Sequence, residues 1–296
     1  MIYDAIIIGG GIAGLSAAVY GARSGKKVLV LEGLMCGGQI VNSPNVTNYP
    51  GIPEISGFDL ARSLYEQAVK SGAQVEYSRV DAIKKAKELY LVIAEDTEFT
   101  TRKIIIATGA KHRELGVPRE KELTGKGISY CATCDGAFFK NGDVAVVGGG
   151  NTAMMDALYL SKICNKVYLI HRRDTFRGED VTLEELKATP NVEIITDSIV
   201  TELIGDKFIE AVNVKNKNTF AEQEIKVSGV FVAVGLTPNT EIFEGLVDLD
   251  DSGYVITDEQ LNTSAPNICA IGDCRVKELR QLVTAASDGA IAGSRI

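Results

Sequence analysis

Two cysteines separated by two residues stand in Tyr130-Cys131-Ala132-Thr133-Cys134-Asp135, with a carboxylate directly after the second thiol. Thiols at this spacing close a small disulfide ring, and at a helix start the local field acidifies one of them and favours exchange. Asp135 is placed to give or take a proton as a thiolate leaves or returns. A zinc site would need four ligands, yet there is no second Cys-x-x-Cys, and the only histidines are His112 and His171. An inert buried pair is the other plain alternative. What flanks the pair favours redox chemistry over both.

Upstream, Asp4 to Ile8 is a β-branched run that reads as a buried strand. It ends at Gly9-Gly10-Gly11-Ile12-Ala13-Gly14, Leu15 to Ser24 reads as a helix, and Val28 to Leu31 is a second strand closed by Glu32. Strand, G-x-G-x-x-G, helix, strand and acid in that order form a dinucleotide-binding fingerprint. Gly9 makes the turn, Gly11 admits a pyrophosphate, and Gly14 lets helix pack on strand, while the helix start offers N–H groups to the phosphates. Glu32 is placed to accept from ribose hydroxyls.

Downstream the pattern returns. A shift of 139 residues lays Tyr3–Gly33 on Gly142–Arg172 without a gap, placing Gly9-Gly10-Gly11 on Gly148-Gly149-Gly150 and Gly14 on Ala153. Asn151 and Thr152 then open the second helix. Glu32 falls on His171, which is followed by Arg172, Arg173 and Arg177. Loss of the acid and gain of guanidiniums suits a ribose 2′-phosphate, which arginine grips in charge-assisted fashion; a solvated basic face is the alternative. The second unit is therefore expected to take NADPH through Gly148, Gly150, Asn151, Thr152, His171, Arg172, Arg173 and Arg177. The first would take the other nucleotide, FAD.

Composition agrees. Of 296 residues 45% are hydrophobic and 24% charged, with 30 Gly and 7 Pro, which is a globular profile. The net charge of −8 argues against a nucleic-acid binder. No apolar run is long enough for a membrane span, and the N-terminus shows neither a basic leader nor a cleavage site, so a cytoplasmic protein is expected. Six cysteines in this length do not make a disulfide scaffold.

Cys131-Ala-Thr-Cys134-Asp135, Gly148-Gly-Gly-Asn-Thr-Ala153 and His171-Arg-Arg-x-x-x-Arg177 together resemble the low-molecular-weight, bacterial-type thioredoxin reductases, class II pyridine nucleotide-disulfide oxidoreductases. Gly37-Gly38-Gln39, Asn48-Tyr49-Pro50, Ala107-Thr108-Gly109-Ala110, Gly235-Leu-Thr-Pro-Asn239, Gly272-Asp273 and Arg280-Gln281-Leu282 extend the resemblance, in family order, over essentially the whole chain. It implies an α/β fold of two three-layer, Rossmann-like domains, the second inserted in the first. The FAD domain would comprise 1–113 and 243–296, and the NADPH domain 114–242 would carry the Cys-x-x-Cys. It implies FAD contacts from Gly9, Gly11, Ile12, Ala13, Gly14, Glu32, Gly38, Gln39, Asn48, Val80, Ala107, Thr108, Gly109, Gly272, Asp273, Arg280, Gln281 and Leu282. Cys134 would face the flavin, Cys131 would attack a thioredoxin-like partner, Asp135 would be the acid–base, and the protein would be a homodimer.

Met154 and Met155 depart from the family by standing where acidic character is common, leaving only Asp156. The last helix looks short for the family. Cys36 and Cys274 would lie near FAD as packed thiols, Cys164 and Cys269 look structural, and His112 is a linker residue with no evident partner. Two other readings keep the first nucleotide site. A ferredoxin-fed relative would have lost the second glycine turn, and a flavin redox sensor would have no need of it.

Overall fold

The computed structural model describes residues 1–43, 45–177 and 179–296. The chain forms two compact units, Met1–Lys111 with Thr237–Ile296, and His112–Leu236 inserted between those pieces. The first unit begins with β1 (Ile2–Ile8), α1 (Ile12–Arg23), β2 (Val28–Glu32), α2 (Gly57–Lys70) and β3 (Gln74–Tyr77). The three strands pair in parallel in the order β3-β2-β1. Parallel strands covered on both faces favour unbroken β-branched runs, which Ala5-Ile6-Ile7-Ile8 and Val28-Leu29-Val30-Leu31 supply, all buried. An antiparallel meander follows: β4 (Val80–Ala86), β5 (Leu89–Ala94) and β6 (Thr97–Ile106). The long β6 pairs with β1 along one edge, while Thr97–Thr101 takes β5 on the other.

The inserted unit starts in β7 (Ala110–His112), then α3 (Glu120–Leu123), β8 (Ile128–Ser129) and α4 (Ala132–Asp135). A second Rossmann run follows in β9 (Asp143–Gly148), α5 (Asn151–Ser161), β10 (Lys166–Ile170), α6 (Asp180–Ala188) and β11 (Val192–Ile195). Next come β12 (Ser198–Ile204), β13 (Ala211–Asn216), β14 (Glu222–Lys226), β15 (Gly229–Ala233) and β16 (Leu236–Pro238). A parallel sheet ordered β11-β10-β9-β15-β8 is the middle layer, and β12-β13-β14 form a separate antiparallel sheet. Two apolar cores result. Ala145, Val147, Val230 and Val232 pack with Val200, Leu203, Val212 and Ile225 of the small sheet. Val144, Val146 and Phe231 pack with Met154, Ala157 and Leu160 of α5. Strand faces alternate between the two sides, as the pleat requires.

The chain re-enters the first unit at Thr237, six residues before the expected return at 243. The reason is local: Asn239 donates its backbone N–H to the Gly109 carbonyl at 3.0 Å and its side chain to the Thr108 carbonyl at 2.9 Å. The closing elements are β17 (Ile268–Ala270), which pairs with the end of β6, and α7 (Leu282–Gly293). Helix α7 lies so close on α1 that a Cβ on Gly289 would run into the Ala13 carbonyl. Ala13, Ala17 and Ala285 fill this tight seam without excess volume. The observed architecture is thus α/β, with two three-layer nucleotide-binding domains and the second set inside the first.

Candidate active site

Cys131 is the N-cap residue of α4 and is disulfide-bonded to Cys134, with the two Cα atoms 5.3 Å apart. The short strand β8 leads into the pair, so sheet register fixes where the ring begins; Ser129 pairs with Phe231 of β15. The Ser129 hydroxyl donates to Asp135 Oδ2 at 2.6 Å, and the Cys131 N–H donates to Ser129 Oγ at 3.0 Å. Burial pushes the Asp135 carboxyl above its ordinary range, and the Ser129 bond opposes that shift. Tyr130 donates to Glu120 Oε1 at 2.9 Å. Glu120, 1% exposed, also accepts the N–H groups of Leu115 and Gly116. The Tyr130 ring stacks on His112 with centroids 5.0 Å apart. His112 therefore has a partner, contrary to the sequence reading, and that partner is invisible in sequence because 17 residues of folded chain separate the two rings.

The first glycine turn is built as its spacing predicts. Gly9 has φ +108°, a conformation that side chains resist, and a Cβ there would strike the Ala107 carbonyl. Gly11 caps α1 with no side-chain bond, and no atom lies within 4 Å of where its Cβ would stand. The Ile12, Ala13 and Gly14 amides at this helix start thus adjoin open space suited to an anion. Glu32 accepts from Gly10 N–H at 2.7 Å and Leu34 N–H at 2.9 Å. Each carboxylate oxygen keeps a lone pair for a ribose hydroxyl. Gly38 sits beside Gly11, its would-be Cβ 3.5 Å from the Gly11 Cα. Val80 is buried at the start of β4, and Gln39 is exposed in the short 3₁₀ turn Gly38–Asn42. Asn48 donates to Gln281 Oε1 at 3.2 Å.

Two strand ends complete this cradle. After β6, Ala107 N–H bonds the Ile8 carbonyl at 2.8 Å, and Thr108-Gly109 turns away with φ +66° at Gly109. After β17, Gly272-Asp273 form a turn whose Gly272 N–H donates to Asp288 Oδ2 at 2.9 Å. Buried Asp288 also takes Arg275 through two bonds, of 2.9 and 3.0 Å, and Lys277 at 2.9 Å. Arg280 bonds the Asp273 and Arg275 carbonyls and lies 4.2 Å from the Tyr254 ring centroid. Gln281 caps α7 in a reciprocal box with Thr284, and Leu282 begins that helix. Asp273 Oδ1 is buried with no hydrogen-bond partner among the described residues. Burial raises the Asp273 carboxyl, with Lys277 and Arg280 opposing. A buried carboxylate oxygen without a donor is rare in a finished site, and a polyhydroxyl ligand would supply one. The cradle therefore fits a flavin dinucleotide.

The second turn repeats the construction. Gly150 caps α5 without a side-chain bond, and its would-be Cβ meets nothing within 4 Å. Asn151 and Thr152 are exposed at the helix start, and Asn151 Oδ1 accepts the Glu179 N–H at 2.8 Å. His171 lies buried under the turn, so close that a Cβ on Gly149 would overlap its ring. Its Nε2 bonds the Thr175 carbonyl at 3.1 Å, and its ring packs 4.9 Å from Phe176. Burial lowers the His171 pKa, and the neighbouring Arg172, Arg173 and Arg177 lower it further. The Arg177 N–H closes onto the Gly149 carbonyl at 2.8 Å. Arg172, Arg173 and Arg177 are exposed and form no ion pair among the described residues. His171 thus sits beneath the arginine loop, holding it against the glycine turn.

Asp156, on the second turn of α5, is pushed up to about 7 by burial. Met155 beside it is exposed, Met154 buried. Cys36, Cys164, Cys269 and Cys274 are buried free thiols. Among the described residues no group of three or more His, Cys, Asp or Glu side chains could hold a metal, and no helix is long and apolar enough to cross a membrane. Four side chains of these sites were missed in the sequence: Ser129, Glu120, Asn239 and Asp288. Only Asn239 left a trace, inside the Gly235–Asn239 motif.

Known proteins give a consistent match. The family described as pyridine nucleotide-disulphide oxidoreductase matches residues 3–290. A thioredoxin reductase of Peptoclostridium acidaminophilum is 42% identical over 301 residues, covering 99% of this chain and 96% of the relative. The Bacillus subtilis thioredoxin reductase is 40% identical over 296 residues, covering 100% and 94%. Among solved structures, thioredoxin reductase from Streptococcus pyogenes aligns with a TM-score of 0.94 at 42% identity, covering 99% of this chain and 96% of that one.

Proposed function

We propose, for a chain that belongs to the pyridine nucleotide-disulphide oxidoreductase family, the activity of an NADPH-dependent flavoprotein reductase of oxidised thioredoxin or a thioredoxin-like protein. The observation that carries this reading is the Cys131–Cys134 disulfide at a helix start, inside the same unit as an arginine-flanked nucleotide turn. Bound in the first unit, FAD supplies a two-electron carrier between the reduced nicotinamide and the disulfide. The first unit's residues hold it: Gly9, Gly11, Ile12, Ala13 and Gly14 around the diphosphate, Glu32 and Val80 at the adenosine end. Thr108, Gly109, Gly272, Asp273, Gly38, Gln39, Asn48, Ala107, Arg280, Gln281 and Leu282 would hold the rest of it. In the second unit Gly148, Gly150, Asn151 and Thr152 receive the diphosphate, and Arg172, Arg173 and Arg177, supported by His171, take the 2′-phosphate.

The chemistry at the thiols then follows from their placement. With the pair reduced, the Cys131 thiolate attacks one sulfur of the partner disulfide. A mixed disulfide forms, and the departing partner thiolate takes a proton from Asp135. The Cys134 thiolate attacks Cys131 Sγ, releasing the second partner thiolate and restoring the Cys131–Cys134 bond. Two electrons pass from the dithiol to the partner, and NADPH replaces them. A carboxyl held up by burial can still carry its proton above the usual carboxylate range. We further propose a cytoplasmic homodimer.

Trapping tests the role of each thiol. With Cys134→Ser, Cys131 has no resolving thiol, so the reduced variant should displace thionitrobenzoate from a thioredoxin whose second active-site cysteine is serine and whose first carries that activating group, leaving a covalent adduct that dithiothreitol releases. Cys131→Ser should form none. An adduct through Cys134 alone would reverse the two roles, and none in either variant would sink the acceptor assignment.

A further inference from the structure

We propose that Ser129 is a positioning residue for the disulfide chemistry: its hydroxyl aims the Asp135 carboxylate and ties it to the backbone of Cys131. The inference rests on Asp135 being the proton donor to the departing thiolate, as proposed above.

Ser129 is 4% exposed and is the last residue of β8, held in register opposite Phe231. Its hydroxyl carries one proton, for which two acceptors compete. It donates to Asp135 Oδ2 at 2.6 Å, with the Cys131 carbonyl a poorer alternative at 3.3 Å. Its oxygen meanwhile accepts the Cys131 N–H at 3.0 Å. A hydroxyl bonded to an ionised carboxylate makes the shorter and stronger bond, so the proton goes to Asp135 and the lone pair to Cys131. One side chain thereby joins the acid–base group to the first residue of the redox ring, across six positions of sequence. No other hydrogen-bond partner of the Asp135 carboxylate is found among the described residues.

Other titratable groups lie on the segments next to this carboxylate. Helix α4 packs on α5 and runs into a short 3₁₀ turn. The ionisable side chains on these segments are Tyr130, Asp156 and Tyr159, with Lys140 and Asp143 beyond the turn. Asp135 hydrogen-bonds to none of them. Burial raises the Asp156 carboxyl as it raises Asp135, so the experiment includes an Asp156→Asn background to keep the two carboxyls apart.

Donation from Ser129 favours the charged form of Asp135, so removing it raises the pH at which Asp135 gives up its proton. One hydrogen bond to a charged group corresponds to roughly one pH unit, about tenfold in that proton equilibrium. The measurement uses the full-length, FAD-loaded enzyme, prereduced and mixed with oxidised thioredoxin across a pH series. The limb of the rate profile that Asp135→Asn abolishes is the one to follow. We expect Ser129→Ala to move that limb upward by about one unit, in both backgrounds, and Ser129→Thr, which keeps the hydroxyl, to return it. Should the alanine variant not fold, Ser129→Gly removes the same hydroxyl and must show the same shift. An unmoved limb in the hydroxyl-free variants overturns the proposal, as does a threonine variant displaced as far as alanine. If Asp135→Asn leaves the whole profile intact, the acid–base reading of Asp135 has failed and the role of Ser129 falls with it.

Discussion

Replacing Asp273 by asparagine separates what the apo protein gains from what the flavin loses. In the structure Asp273 Oδ1 is buried beside the Gly272 turn and has no donor among the described residues. Burial raises this carboxyl, with Lys277 and Arg280 offsetting part of the effect. An unsatisfied buried polar group costs about 1–3 kcal/mol. Asparagine keeps the shape, drops the charge and lowers that cost, so the apo protein should unfold no earlier than its parent and up to several degrees later. The flavin effect has the opposite sign. A hydrogen bond to a charged group contributes roughly 1.5–3 kcal/mol, so its loss weakens FAD binding by about tenfold to a hundredfold. The assays are thermal unfolding of the apo variant and titration of apo protein with FAD, followed by quenching of flavin fluorescence. A destabilised apo protein, or unchanged FAD affinity, would refute the claim that this oxygen awaits a ligand donor.

Exchanging Arg172, Arg173 and Arg177 for alanine together should weaken NADPH by well over tenfold while leaving NADH nearly unchanged, because each guanidinium is exposed and forms no ion pair among the described residues, which suits it to a 2′-phosphate. The parent's NADPH affinity should also fall with added salt, and the triple variant's should not. Asp156 makes a prediction about stability. Its folded pKa of about 7 lies above the ordinary 3.8, so between these values the native state holds a proton that the unfolded chain has released. Stability from this group is thus present below about pH 4 and lost as pH rises to about 7. Urea unfolding should show Asp156→Asn gaining on its parent from pH 4 to 7, with the gap constant above that; an equal gap at pH 4 and pH 8 would contradict it.

Both glycine turns, the arginine loop and the cysteine pair were legible because each depends on residue types at fixed short spacing. Gly9 needs positive φ, Gly11 and Gly150 need open space, and the 139-residue repeat exposes one construction used twice. The doubled Rossmann architecture followed from the same spacing. What the sequence could not show are partnerships closed by folding. Ser129 becomes informative only when β8 and α4 bring its hydroxyl to Asp135. Asp288 reads as one acid in a small-residue helix until Gly272, Arg275 and Lys277 converge on it. His171 was placed in the nucleotide site by its position after the second strand, yet its ring lies beneath Gly149 and bonds Thr175. Residue type alone does not show that this ring packs against a glycine turn.

Anaerobic titration of the FAD-loaded protein with NADPH, followed by oxidised thioredoxin, tests the central claim most directly. The account predicts rapid bleaching of the flavin band by NADPH, far slower bleaching by NADH, and return of the band on adding thioredoxin. A flavin that stays oxidised with NADPH but is bleached by reduced ferredoxin would contradict the assignment of the second nucleotide site.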